Sequence, residues 1–335
     1  MNRILYIITG AAGHLAGTII LKLINTDCII RGLLLPGEDG IIGDNITYIT
    51  GDVTKPETLD QLFENTEGAE VIVIHCAGIV SIQKKVSSAV YSVNVTGTQN
   101  IITKCMQYKV SRFVYVSSVH ALPETDGGVI QEVDRFSPDA VDGAYAKTKA
   151  EATQAVIDAA KRGLNAVIVH PSGIIGPFDR SKSNHLVQMM SLYVKHHLPA
   201  GVRGGYDFVD VRDVADGILL AAKNGRPSEC YILSNRYVSM REFFEEMRVC
   251  LGRKHRLPLM PYSAARFFTP IFEWYAKMTH TRSIYTAYSI KTLTKQACFC
   301  HDKATAELGY HTRNFKDTVK DTLAYLQQDM GKVHS

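Results

Sequence analysis

The chain has 335 residues, 46% of them hydrophobic and 21% charged, with 37 basic against 33 acidic side chains and a formal net charge of +4. That length supports a core somewhat larger than one average domain, and the mixed charges, with no dense Lys/Arg run, exclude nucleic acid or an anionic membrane as partner. No run approaches the roughly 18 apolar residues of a spanning helix, and the amino terminus enters a strand without a secretory signal, so a cytoplasmic protein with no membrane insertion is expected.

Arg3 to Thr9 reads as a buried strand running into Gly10, Ala11, Ala12, Gly13, His14, Leu15, Ala16 and Gly17. In such a strand, glycine turn and helix, the glycines let the backbone approach a pyrophosphate and the first helical N–H groups face its charge. The spacing Gly10, Gly13, Ala16 departs from G-x-G-x-x-G, while Ala16 still allows helix to pack closely on strand. Further apolar strands follow at Cys28 to Leu35, Ile46 to Thr50, Val71 to His75, Arg112 to Ser118 and Asn165 to Val169, separated by helix-length or turn-bearing connections. The alternation predicts an α/β fold: a doubly wound parallel sheet of Rossmann type, with ligands at the carboxyl ends of the strands.

Beyond Gly173 the alternation breaks down. Helical patterns at Asn184 to His196, Arg212 to Asn224 and Met240 to Leu251 are interleaved with single strands at Tyr206 to Val209 and Cys230 to Leu233. We therefore divide the chain into a dinucleotide-binding core, residues 1–172, and a smaller, mostly helical substrate-binding lobe, residues 173–330, with no linker between them. Within the lobe Tyr262, Phe267, Phe268, Phe272, Trp274 and Tyr275 crowd around Pro270, a pattern that reads as core packing or an apolar pocket wall. The seven cysteines read as reduced thiols, and no cysteine or histidine set stands at metal-ligand spacing, so no metal is expected.

The chemistry centres on Tyr145 and Lys149, four residues apart in a helical pattern and so on one face. A phenol's pKa of about 10 is too high for easy proton exchange at neutral pH, and a neighbouring ammonium lowers it. The pair suits general acid/base work.

In this company the chain resembles an extended short-chain dehydrogenase/reductase, of the NAD-dependent epimerase/dehydratase family. Thr9-Gly10-Ala11-Ala12-Gly13 matches the cofactor loop, Gly51-Asp52-Val53 the turn beside the adenine, and Val73 to Gly78 the fourth-strand segment under the cofactor. Asn94 to Thr98 matches the helix carrying the family's asparagine, and Phe113 to Ser118 a strand ending in its serine pair. Pro171 to Pro177 and Asp207 to Ala215 match segments around the substrate pocket, and Cys300 to Ala304 with Glu307 to Tyr310 a closing motif of the dihydroflavonol-reductase-like and 3β-hydroxysteroid-dehydrogenase-like bacterial branch.

The resemblance implies that Thr9, Gly10, Ala12, Gly13, His14, Leu15, Leu34, Asp52, Val53, Cys76, Ala77, Gly78, Pro171, Ser172 and Gly173, with Tyr145 and Lys149, hold NAD(H) or NADP(H). It implies that Tyr145 exchanges a proton with the substrate oxygen, Lys149 lowers its pKa and binds the nicotinamide ribose, and Ser118 rather than Ser117 donates to the same oxygen. Asn94 would hold a relaying water. Ser118, His120, Tyr145 and Tyr206 would meet an apolar, steroid- or flavonoid-like carbonyl or secondary alcohol. A homodimer through the helices of Asn94 and Tyr145 is the family's default.

Two other functions compete. A nucleotide-sugar epimerase or dehydratase would usually place a phosphate-clamping arginine where Tyr206 stands, and a non-catalytic redox sensor would commonly lack the tyrosine that Tyr145 retains. Coenzyme choice turns on the tip of the second strand, where an acid selects NAD and an arginine NADP. Leu34 and Leu35 stand there, with Glu38 and Asp39 just beyond and Arg31 within the strand, which inclines the choice to NAD(H) if the loop folds back over the adenine ribose.

Overall fold

A computed structural model describes residues 3–81, 86–123, 128–269, 287–294 and 297–333. Six strands form in turn: β1 (Ile4–Thr9), β2 (Ile29–Leu34), β3 (Ile46–Thr50), β4 (Glu70–His75), β5 (Arg112–Val116) and β6 (Ala166–Pro171). They are followed by β7 (Gly173–Ile175), β8 (Gly205–Asp210), β9 (Cys230–Leu233) and β10 (Arg236–Ser239). The main sheet is parallel, with seven strands in the order β9-β6-β5-β4-β1-β2-β3.

Its strands read as nearly unbroken apolar runs because helices cover both faces. Along β1, Leu5 and Ile7 enter one core and Ile8 the other, and along β4 Val73 opposes Ile72 and Ile74 in the same way. Ile7, Ile8, Val73 and Ile74 are wholly buried, and each such side chain contributes about 1.5–3 kcal/mol when removed from water.

The chain beyond Pro171 is interleaved with the main sheet. Its own sheet has the order β10-β8-β7, with β8 parallel to β7 and antiparallel to β10. The chain then returns through β9 to pair with β6 at the edge of the main sheet. The helices include α1 (His14–Leu23), α2 (Ala144–Lys161), α3 (His185–Val194), α4 (Val211–Asn224) and α5 (Phe315–Val333). Asp210 caps α4 and pairs with Arg212 at 2.8 Å, while Arg212 reaches Asp321 of α5 at 2.7 Å. Arg313 completes the tie to Asp213.

Two expectations change. The fifth strand stops at Val116 rather than Ser118, because Ser118 turns to cap a short 3-10 helix, Val119–Ala121, with its Oγ accepting from the His120 N–H. The aromatic segment is not core where it is described: residues 262–269 form a helix in which Ala265 and Thr269 are buried while Tyr262, Phe267 and Phe268 are exposed. Phe272, Trp274 and Tyr275 lie outside the described residues. Among the described residues no helix is long and apolar enough to cross a membrane.

Candidate active site

Strand order reverses between β1 and β4, and at such a switch point the connections diverge and open a crevice beyond the carboxyl ends of the strands. A cavity of about 310 Å³ lies there. One wall follows the strand ends, with His14 and Leu15 after β1, Cys76 and Gly78 after β4, Ser118 and His120 after β5, and Pro171 to Gly173 at β6. Tyr145 and Lys149 reach it from α2, and Leu186, Met189, Tyr206, Phe208 and Leu293 line it from later in the chain.

Tyr145 and Lys149 are both buried, in the first two turns of α2, so this helix face is interior rather than solvated surface. Lys149 Nζ donates to the Val116 carbonyl at 2.9 Å and lies 5.0 Å from the centre of the Tyr115 ring. Burial pulls its ammonium down to about 8. Ser117 Oγ is tied to Thr153 Oγ1 at 2.7 Å, inside the fold. Ser118 Oγ accepts from the His120 N–H at 3.2 Å, which leaves the Ser118 hydroxyl proton to be donated.

His120 packs edge-on to Tyr145, with centroids 5.9 Å apart, and stacks on Tyr206, whose hydroxyl lies 3.2 Å from His120 Nε2. Asn94 sits behind the wall in a π-helical turn, Ser92–Gly97. Its Oδ1 accepts from the Ile79 N–H at 2.7 Å, and its Nδ2 donates to the Ile79 carbonyl and to Thr148 Oγ1. The amide side chain thus clamps the segment after β4 to α2.

The remaining cofactor candidates gather at the ends of β1 to β4. Gly10 has φ +67°, and a Cβ there would stand 2.9 Å from the Ala77 Cα, so only glycine lets the loop lie against the β4 segment. Gly13 caps α1 without a side-chain acceptor, and the first turn holds no acid, which suits an anion at that helix end. Thr9 Oγ1 accepts from the Ala77 N–H. Leu34 ends β2, its carbonyl accepting from the Gly51 N–H, and Asp52 and Val53 follow at the same edge. Asp52 Oδ1 accepts from the Thr54 N–H and hydroxyl. Ala12 stands in the loop itself, between Gly10 and the cap of α1. The glycine cradle and the uncapped helix start fit a dinucleotide's pyrophosphate.

A model of the NAD dependent epimerase/dehydratase family matches residues 6–233. The chain belongs to that family. It is an extended short-chain dehydrogenase/reductase, an oxidoreductase that binds a nicotinamide dinucleotide. A Synechocystis protein bearing the provisional name dihydroflavonol 4-reductase is 27% identical to it, covering 96% of this chain and 94% of its own. The 4-hydroxy-2-methyl-3-oxo-4-farnesyl-3,4-dihydroquinoline-1-oxide ketoreductase of Stigmatella aurantiaca is 27% identical, with 91% of each chain covered. The crystal structure of gox2253 superposes with a TM-score of 0.81 at 28% identity, covering 97% of this chain and 98% of the other.

Several residues around this site have partners that carry no signal in the sequence. His75 is wholly buried between Thr9 Oγ1 at 2.7 Å and Thr98 Oγ1 at 3.1 Å, and burial pulls its imidazole down to about 3, so it is a neutral strut joining β1, β4 and the helix Thr98–Gln107. His14 ties α1 to the segment before α3: Nε2 lies 2.8 Å from the Pro177 carbonyl, and Nδ1 lies 3.1 Å from Asn184 Nδ2 at the start of α3. His170 Nδ1 lies 3.0 Å from the Ser118 carbonyl and holds the turn that presents Ser118. Only a pattern spanning distant segments would reveal such pairs.

Proposed function

We propose that this enzyme interconverts a carbonyl and a secondary alcohol on a largely apolar small molecule. The observation that carries the reading is the meeting of Ser118, Tyr145 and Lys149 in one cavity beside the dinucleotide loop. The bound nicotinamide supplies or accepts the hydride. Tyr145 gives the substrate oxygen a proton in reduction and takes it in oxidation, while Ser118 donates a hydrogen bond that steadies the charge developing on that oxygen. Lys149, in its ammonium form, favours the Tyr145 phenolate. Asn94 acts as a positioning residue through Ile79 and Thr148.

Apolar substrate is supported by the wall that Val80, Ile174, Leu186, Met189 and Leu293 build, in which Lys149 is the one cation among the described residues. The phosphate-clamp position of nucleotide-sugar enzymes is Tyr206, bonded to His120, and Arg203 is exposed outside the cavity. The names of the Synechocystis and Stigmatella relatives point to carbonyl reduction on ring systems. A panel of hydroxysteroids, flavonoids and simple ketones, followed by nicotinamide absorbance, should yield turnover, and members of that panel should raise the melting temperature more than UDP-sugars do. A large shift with UDP-sugars and none with the panel reverses the assignment.

NAD(H) is the proposed coenzyme. Pro36 and Gly37, the latter at φ +84°, close a turn in which the Glu38 N–H donates to the Leu35 carbonyl at 3.1 Å. This returns the Glu38 carboxylate to the tip of β2, where Oε2 accepts from the Leu35 N–H at 2.9 Å. A carboxylate at that tip suits ribose hydroxyls and repels a 2′-phosphate. Arg31 gives its guanidinium to the carbonyls of Leu62, Glu64 and Asn65 instead. By calorimetry NADH should bind about tenfold more tightly than NADPH, and Glu38→Gln should narrow that gap to about twofold, since one exposed charge has a modest effect. Tighter NADPH binding by the wild type would sink this assignment.

A further inference from the structure

Ser172 lines the cavity, and its hydroxyl donates to Asp207 Oδ1 at 2.6 Å. The main-chain N–H of Asn235 donates to the same oxygen at 3.2 Å. Asp207 is 1% exposed, and its other oxygen, Oδ2, has no hydrogen-bond partner among the described residues. Burial pushes the carboxyl up to about 6 against the pull of its two donors. The geometry around it is tight. Phe208 pairs with Gly173, and a Cβ on Gly173 would stand 2.8 Å from the Asp207 carbonyl oxygen, so the strand after Ser172 lies directly against Asp207.

A buried carboxyl with no ion pair among the described residues is a costly way to join two strands. Its chemical effect is definite, however. A serine hydroxyl has one proton and two lone pairs, so a serine whose proton is committed to a carboxyl can only accept from its other side.

We propose that Asp207 is a positioning residue that makes Ser172 an obligate acceptor toward the cavity, selecting the carboxamide N–H₂ of the nicotinamide ring. This rests on the coenzyme reading above. Ser172 shares the cavity with Tyr145 and Lys149, where the reacting ring must stand, and the carboxamide is the amide donor on that ring.

Three dinucleotides titrated by calorimetry test it: NAD⁺, its 3-acetylpyridine analogue, in which a methyl replaces the amine, and nicotinic acid adenine dinucleotide, whose carboxylate only accepts. Wild type should bind NAD⁺ about tenfold more tightly than either analogue, the effect of one hydrogen bond to a charge-backed acceptor. Ser172→Ala and Asp207→Leu should both shrink the gap to within about threefold. Asp207→Asn should retain the amide-over-acetyl preference, because two donors hold its carbonyl oxygen where Oδ1 now is.

Wild type that binds the carboxylate analogue as well as NAD⁺ shows a Ser172 that still donates, and this overturns the proposal without any variant having to fold. So does an Asp207→Leu protein that keeps the full preference when Ser172→Ala has lost it. Failure of all three dinucleotides to bind wild type would overturn the coenzyme reading, and the proposal with it.

Discussion

Tyr145→Phe should lower turnover about a thousandfold or more while coenzyme affinity stays within about twofold, since general acid/base catalysis by a positioned group is worth roughly 10²–10⁴. The substitution keeps the ring, which is buried and packs edge-on to His120 at 5.9 Å, so the fold and the cavity wall should survive. What disappears is the titratable hydroxyl. Without it, hydride transfer to a carbonyl carbon leaves an alkoxide that only water or Ser118 can serve, and Ser118 is a far weaker acid than a phenol beside an ammonium. Single-turnover nicotinamide absorbance measures the chemical step, and calorimetry measures coenzyme binding separately. Near-native turnover in the Phe enzyme would remove Tyr145 from the role of proton donor.

Local patterns made the sheet and the pairing of Tyr145 with Lys149 legible. The apolar run Arg3 to Thr9, the glycines after it, and the four-residue interval between Tyr145 and Lys149 are each contained in one element, and the structure brings them to one crevice. The chain resembles its family over the same segments, which ordered the rest. Long-range partners were not legible. His75 between Thr9 and Thr98, His14 between Pro177 and Asn184, and Asp207 under Ser172 join segments 23 to 170 residues apart, and no periodicity encodes such pairs. Asn94 was legible as a residue and not as a contact, because its partner is the main chain of Ile79. Glu38 stood between these cases: the acid was plain, and its return to the tip of β2 depended on the Pro36-Gly37 turn. The exposure of Tyr262, Phe267 and Phe268 differs from the core or pocket wall their crowding suggests, because aromatic content alone does not say which side chains a helix covers.

Lys149→Met should also abolish useful turnover, and it should do so without destabilising the protein at neutral pH. Burial lowers the ammonium from its ordinary 10.5 to about 8, which means the folded state carries this charge at a cost wherever both states are protonated. Below pH 8 that cost is fully present, so a methionine of similar length, which needs no solvation, should melt at or above the wild-type temperature. Between pH 8 and 10.5 the native lysine sheds its proton before the unfolded one does, and wild type gains on the variant through that window. The catalytic effect has the opposite dependence. Only the ammonium favours the Tyr145 phenolate, so kcat/KM for reduction should fall as pH rises through about 8, and the Met variant should lose both the rate and the inflection. Melting curves and pH–rate profiles of the two proteins separate these outcomes. A Met variant that melts well below wild type at pH 7 would assign Lys149 to the scaffold, where its bond to the Val116 carbonyl would then be its main contribution.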